Sequence, residues 1–242
     1  ERTIRPVLLR LRYTLGDLLA DRAQSHGDRV YLEEGDGARR RVTFAQTAKR
    51  CGHITDALFT GTPGGDVPRV AIFSENTLEG TLCDLACLTN GILVTPLSVH
   101  LDEDALAAIL RRLHINTVVV DSDDRLRSLL RVITSHVLQI TVLFTGEGDA
   151  EEKGIEQFDA FVARNSERGD AESGVLRSSP PEAYTGTATV MFTSGSTGRP
   201  KGICFSQLNM VSKRFARAAA LPEVGTDETL VSYLPLFHTF GR

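Results

Sequence analysis

No apolar run in the 242 residues approaches the length a bilayer-spanning helix requires, which excludes a transmembrane helix on sequence grounds. The chain also lacks a basic excess: its formal net charge is -4, and nucleic-acid-binding domains ordinarily carry a clear positive surplus. A nucleic-acid partner is therefore not expected. Cysteine is sparse, at positions 51, 83, 87 and 204, without a CxxC pair, and the N-terminus shows no secretory leader pattern. A reduced, cytoplasmic protein is the expectation. Cys83 and Cys87 could share one helix face, but two buried thiols behaving as small hydrophobes are a simpler reading than a metal site, and none is expected. No internal repeat or low-complexity tract is evident. What is present, 41% hydrophobic and 24% charged residues, is the composition of an ordinary globular protein with a substantial core.

Charge is unevenly placed. Between Gly146 and Glu182 ten acidic residues stand against four basic ones, a net of -6 that leaves the rest of the chain at +2. The first twelve residues mix Arg2, Arg5, Arg10 and Arg12 with Ile4, Val7, Leu8, Leu9 and Leu11. A solvated leader feeding the first helix is favoured there, and peripheral contact with an anionic membrane is the alternative.

Thr14 with Asp17 has capping-box character, and apolar residues then recur at helical spacing up to Gly27. Two short strands, 30–33 and 39–42, follow around a Gly35-Asp36-Gly37 turn, and Thr43 opens a second helix to about Leu58. Beyond a Gly- and Pro-containing break, residues 69–73, 92–97, 116–121 and 140–145 are β-branched and almost continuously apolar, as strands buried on both faces are. Helical patterns at 77–89, 103–113 and 124–136 separate them. This alternation predicts βαβ units, and hence an α/β fold with a mainly parallel sheet and helices on both faces. The acidic stretch at about 146–182 reads as a surface connection carrying one short helix at 155–162. A strand at 188–193, a glycine-rich run, a second extended segment at 203–205, a helix capped by Ser206 and reaching Ala220, and a strand at 229–234 complete the pattern.

The glycine-rich run is Thr193-Ser194-Gly195-Ser196-Thr197-Gly198-Arg199-Pro200-Lys201-Gly202. A polyphosphate needs donors on several sides, an unobstructed backbone and positive charge, and hydroxyls, glycine amides and Lys201 supply them. A Walker loop ends in Gly-Lys-Ser/Thr and continues as a helix. Here Pro200 biases Arg199 away from helical dihedrals, so the run should lead into extended chain. A plain Ser/Gly turn between two strands would also hold glycines and hydroxyls, but it has no need of the Pro-Lys-Gly ending.

This run closely resembles the phosphate-binding motif of the adenylate-forming superfamily, which includes acyl-CoA synthetases, peptide-synthetase adenylation domains and luciferases. Leu234-Pro235-Leu236-Phe237-His238-Thr239-Phe240-Gly241 resembles a second motif of that superfamily. Weaker agreement runs upstream through Thr43-Phe44, Asn76, Gly91 and Pro96. The resemblance implies residues 1–242 as the N-terminal part of an AMP-binding domain, with the rest of the large domain and the C-terminal lid absent. It implies that Thr193, Ser194, Gly195, Ser196, Thr197, Gly198 and Lys201 grip the phosphates of ATP with Mg2+, and that Lys201 and His238 serve the reaction, His238 beside the acid. A lone histidine is often just a hydrogen-bonded core residue; its place in the longer motif favours the site. The expected activity is conversion of a carboxylic acid, a fatty acid foremost, to acyl-AMP and then to a CoA thioester by the full-length parent, the fragment alone being inactive. A carrier-protein-loading or peptide-synthetase adenylation domain, and a noncatalytic nucleotide-binding module, are the alternatives.

Overall fold

The computed structural model describes residues 4–35, 39–147, 155–166, 184–193, 200–225 and 227–238. Helix α1 (Ile4–Leu11) and helix α2 (Leu15–His26) precede an antiparallel hairpin of β1 (Val30–Glu34) and β2 (Arg40–Thr43). Thr14 and Asp17 cap α2 reciprocally: the Thr14 hydroxyl accepts from the Asp17 amide while the Asp17 carboxylate accepts from the Thr14 amide. Thr43 and Gln46 repeat the device at the start of α3 (Phe44–Gly61).

Then come β3 (Arg69–Phe73), α4 (Leu78–Thr89), β4 (Leu93–Pro96), α5 (Glu103–Arg112), β5 (Thr117–Val120), α6 (Asp123–His136) and β6 (Thr141–Phe144). The last elements are β7 (Glu156–Gln157), α7 (Phe158–Ser166), β8 (Thr187–Thr193), β9 (Lys201–Ser206) and α8 (Gln207–Ala220). Seven strands form one sheet in the order β7-β6-β5-β3-β4-β8-β9. All neighbours are parallel except β8 and β9. The α/β sheet expected from the alternating pattern is therefore present.

Successive strand residues point to opposite faces, and the core divides accordingly. Val70, Ile72, Val94, Val119 and Leu143 join side chains of α2, α3, α4, α7 and α8 on one face. Ala71, Phe73, Val118, Val120, Val142 and Phe144 join α5 and α6 on the other. Burial on both faces explains why these strands read as unbroken apolar runs. Two buried threonines reinforce the junction of β4 with β8: the Thr95 hydroxyl donates to the Val190 carbonyl at 2.7 Å, and Thr189 donates to Val94 at 2.6 Å.

Three sequence expectations change. Residues 4–11 are a helix, not a solvated leader: Leu8 is buried and α1 lies against α8. Within the acidic connection, β7 adds a parallel edge strand beside β6, and α7 buries Phe158 and Phe161 against α3. The fit is close, since a Cβ on Gly61 would lie 2.4 Å from the Phe161 ring. Residues 148–154 and 167–183 of that stretch lie outside the described residues, as do Asp36 and Gly37 of the hairpin turn. Finally, 229–234 is not a strand. Leu230, Val231 and Tyr233 are each about 80% exposed, and without a neighbouring strand among the described residues to complete a hydrogen-bond ladder their β-forming side chains cannot hold one.

Candidate functional site

The glycine-rich run joins two antiparallel strands. Thr193 closes β8, Lys201 opens β9, and the two residues are directly paired across the hairpin. Ser194, Gly195, Ser196, Thr197 and Gly198 lie outside the described residues; Thr193, Pro200, Lys201 and Gly202 lie within them. The chain therefore enters extended structure after Pro200, as the proline and the Pro-Lys-Gly ending require, and the helix expected of a Walker loop is not there. Gly202 has a packing reason as well. A Cβ at that position would come within 2.9 Å of Val190 Cγ1 and 3.2 Å of Phe192 Cε1, so the missing side chain lets these β8 residues lean across β9.

Because β8 runs parallel to β4 and β3, Thr193, Pro96 and Phe73 end at the same edge of the sheet. This is the carboxyl edge, where open α/β sheets bind ligands in the loops beyond their strands. Residues 74–78, immediately after β3, are held from both sides. The Glu75 amide donates to Asp121 Oδ2 at 2.9 Å, and Asp121 is itself gripped by Arg125 through bonds of 2.6 and 3.0 Å. The Leu78 amide donates to Glu34 Oε1 at 3.0 Å, and Thr77 caps α4 by accepting from the Gly80 amide. Arg40 bridges Glu34 and Glu79, and its hydrogen bonds to those carboxylates, Glu79 foremost, raise its guanidinium pKa above the ordinary value. The start of α4 is thus tied to the β1–β2 hairpin and to β5.

From this platform the Asn76 side chain reaches the segment that carries the histidine. Asn76 Nδ2 donates to the Leu234 carbonyl at 2.9 Å and to the Ser232 carbonyl at 3.4 Å, while Oδ1 accepts from the Leu236 amide at 3.1 Å. Residues 235–238 then form a turn in which the His238 amide donates to the Pro235 carbonyl at 2.9 Å. His238 is exposed, and Leu234 through Phe237 are half-buried. A cavity of about 320 Å3 lies beneath the segment, with Leu78, Leu88, Tyr31, Arg214, Ser232 and Leu236 in its wall. Elsewhere, Gln207 fixes the start of α8, its side chain accepting from the Leu15 amide at 3.2 Å and donating to the Leu88 carbonyl.

The structure thus brings the paired residues Thr193 and Lys201 and the Asn76-held histidine turn to one edge, with β4 between β8 and β3, the strand that leads to Asn76, and those two strands roughly 10 Å apart by the usual spacing. Residues 19–242 match the family described as AMP-binding enzyme. The chain belongs to the AMP-binding enzyme family. It is 26% identical over 227 residues to long chain acyl-CoA synthetase 8 of Arabidopsis thaliana, covering 88% of this chain and 28% of that protein. It is 30% identical over 228 residues to a substituted indenyl-propanoyl:CoA ligase of Rhodococcus jostii, covering 90% of this chain and 42% of that one. Among solved structures, ATP-bound MatB from Rhodopseudomonas palustris superposes with a TM-score of 0.72 at 21% identity, over 94% of this chain and 41% of MatB. The chain therefore spans well under half the length of these relatives.

Two long-range contacts of this chain were not legible in its sequence. Gln207 carries no motif signal at all, and Asn76 is visible only as one weakly matching position. Among the described residues, no group of three or more His, Cys, Asp or Glu is arranged to hold a metal ion, and no helix is long and apolar enough to cross a membrane.

Proposed function

We propose that this chain is the ATP-gripping part of an acid-CoA ligase that activates a carboxylic acid as its adenylate. The observation that carries the reading is the pairing of Thr193 with Lys201 at the carboxyl edge that also bears the Asn76-held histidine turn. The reading is supported by the short span between these two features, since a phosphate chain and the carboxylate that attacks it belong to one reacting assembly. Membership of the AMP-binding enzyme family and the CoA-ligase names of its curated relatives support CoA over a carrier protein as the acceptor. A fatty acid is the substrate class those names favour.

In the proposed reaction a carboxylate oxygen attacks the α-phosphorus of ATP. The bond from that phosphorus to the β-bridging oxygen breaks, and pyrophosphate leaves with the electron pair. The CoA sulfur then attacks the acyl carbon, and AMP leaves. Both first-step reactants are anions, so alignment and charge screening supply most of the acceleration, and the protein needs no covalent nucleophile. Thr193, Ser194, Gly195, Ser196, Thr197 and Gly198 offer hydroxyl and amide donors to the β- and γ-phosphates. Lys201 offers the positive charge, and His238 shapes the acid side. Magnesium enters with its substrate as MgATP. Cys51, Cys83 and Cys87 are buried thiols, none of them in a disulfide among the described residues, which suits a reducing compartment, and the cytoplasm is the proposed location.

Carboxylate-dependent exchange of pyrophosphate into ATP, measured on the full-length parent across short, medium, long-chain and aromatic acids, tests the reading. Exchange with at least one acid is expected, and none with any acid contradicts it. Lys201→Ala should weaken MgATP binding about tenfold or more through loss of a charge-assisted contact, with unchanged affinity counting against the assigned role.

A further inference from the structure

We propose that Asn76 is a positioning residue, which sets the acid-side histidine turn against the sheet edge through its side-chain amide. The inference rests on the carboxylate-activating reading for its catalytic consequence, but on geometry for the positioning itself. Segment 232–236 has no regular secondary structure, and Val231 just before it and Tyr233 within it are largely exposed. Little apolar burial therefore fixes its placement. Asn76 supplies direction instead: one amide gives two donors to carbonyls 156 and 158 residues away and one acceptor to an amide 160 residues away. Two donors and an acceptor together define both the position and the orientation of the strip, a set that a hydroxyl with its single donor, a carboxylate with none or an ammonium without an acceptor does not offer.

The platform beneath Asn76 is rigid for reasons already visible. The amides of Glu75 and Leu78, on either side of it, are held by carboxylates from β5's end and from β1, so the Asn76 backbone cannot follow a wandering segment. His238 follows Leu236 by two residues and shares the turn that begins at Pro235. A shift of the strip therefore moves the histidine. The phosphate hairpin, two strands away and built from β8 and β9, has no hydrogen bond to Asn76 among the described residues. Loss of the amide should consequently disturb the acid side and spare ATP.

Asn76 is exposed and belongs to neither apolar cluster, so substitution should leave the fold standing. Two variants are informative. Asn76→Ala removes all three bonds. Asn76→Asp keeps an acceptor for the Leu236 amide but sets a carboxylate against two carbonyl oxygens; it also serves if the alanine variant does not fold. Amide hydrogen exchange on the full-length protein is the first measurement, with the exchange of residues 232–238 expected to quicken about tenfold in both variants, the effect of losing one to two net hydrogen bonds. Steady-state kinetics is the second, with the KM for the acid rising about tenfold and the KM for ATP moving less than about twofold.

Unchanged exchange at 232–238 overturns the inference whatever the kinetics show. Equal increases in both KM values overturn it as well, since a general loss of structure would do that. If wild-type protein exchanges no pyrophosphate with any acid, the ligase reading falls, and faster amide exchange in Asn76→Ala still supports the positioning role on its own.

Discussion

Val137 ends α6 in the left-handed region at φ 51°, a conformation that crowds a β-branched side chain. The helix accepts this because the cap closes well: the Leu138 amide donates to the Ile133 carbonyl at 3.0 Å, as a helix C-terminus with a left-handed residue requires. The valine side chain is 88% exposed, so it returns no burial for the strain. Val137→Gly should raise unfolding stability by about 0.5–1 kcal/mol, the relief of strain exceeding glycine's entropic cost. A lowered midpoint in urea would contradict this. The thiols give a second residue-level outcome. Cys51, Cys83 and Cys87 are fully buried, and burial pushes the Cys51 thiol pKa well above its ordinary value, whereas Cys204 is exposed on β9. Iodoacetamide should add one label to the native chain at Cys204 and the other three only in denaturant. Two or more labels on native protein, read by mass spectrometry, would be inconsistent with this packing.

At the scale of elements, the β8–β9 hairpin does two jobs at once. It completes the sheet beyond β4, and it pairs Thr193 with Lys201 at the carboxyl edge, on either side of the glycine-rich run. Its fidelity depends on Gly202, over which Val190 and Phe192 lean. Gly202→Ala should therefore cost about 1–3 kcal/mol of stability, the usual penalty of overpacking, despite alanine's better strand propensity. Denaturant unfolding measures this, and a neutral or stabilising result would show that the hairpin tolerates a Cβ there. Helix α1 teaches a related lesson. Eight residues are too few for a helix to persist alone in water, so this one owes its existence to docking through Leu8 on α8.

For the whole molecule, the decisive fact is that one sheet separates two apolar clusters and contributes alternate side chains to each. Neither cluster can lose its order without exposing the other side of the same strands. Leu58→Ala in one cluster and Phe144→Ala in the other, both at fully buried sites, should each cost about 2–5 kcal/mol. Both should lower a single shared transition rather than split it. Far-UV circular dichroism and tyrosine fluorescence recorded on the same samples check this; transitions that separate in either variant would mean that the two layers unfold independently.

Much of this was readable in one dimension because the causes are local. Strands such as Arg69–Phe73 and Thr117–Val120 announce themselves by continuous apolar character, since burial on both faces leaves no polar position. Capping pairs such as Thr14 with Asp17 act within four residues, and Pro200 decides its own backbone. The phosphate run and the family it signals were likewise written in adjacent residues. Tertiary structure decided the rest. Residues 229–234 carry strand-forming side chains yet have no ladder to join, and residues 4–11 read as a leader until α8 gives them a surface. The hold of Asn76 on Leu234 and Leu236 spans about 160 positions, so no spacing rule could reveal it. Order along the chain carries the family, through the composition of residues 193–202. Folding alone determined that Thr193 and Lys201 share an edge with the histidine turn, because only the sheet brings β3 and β8 within two strands of each other.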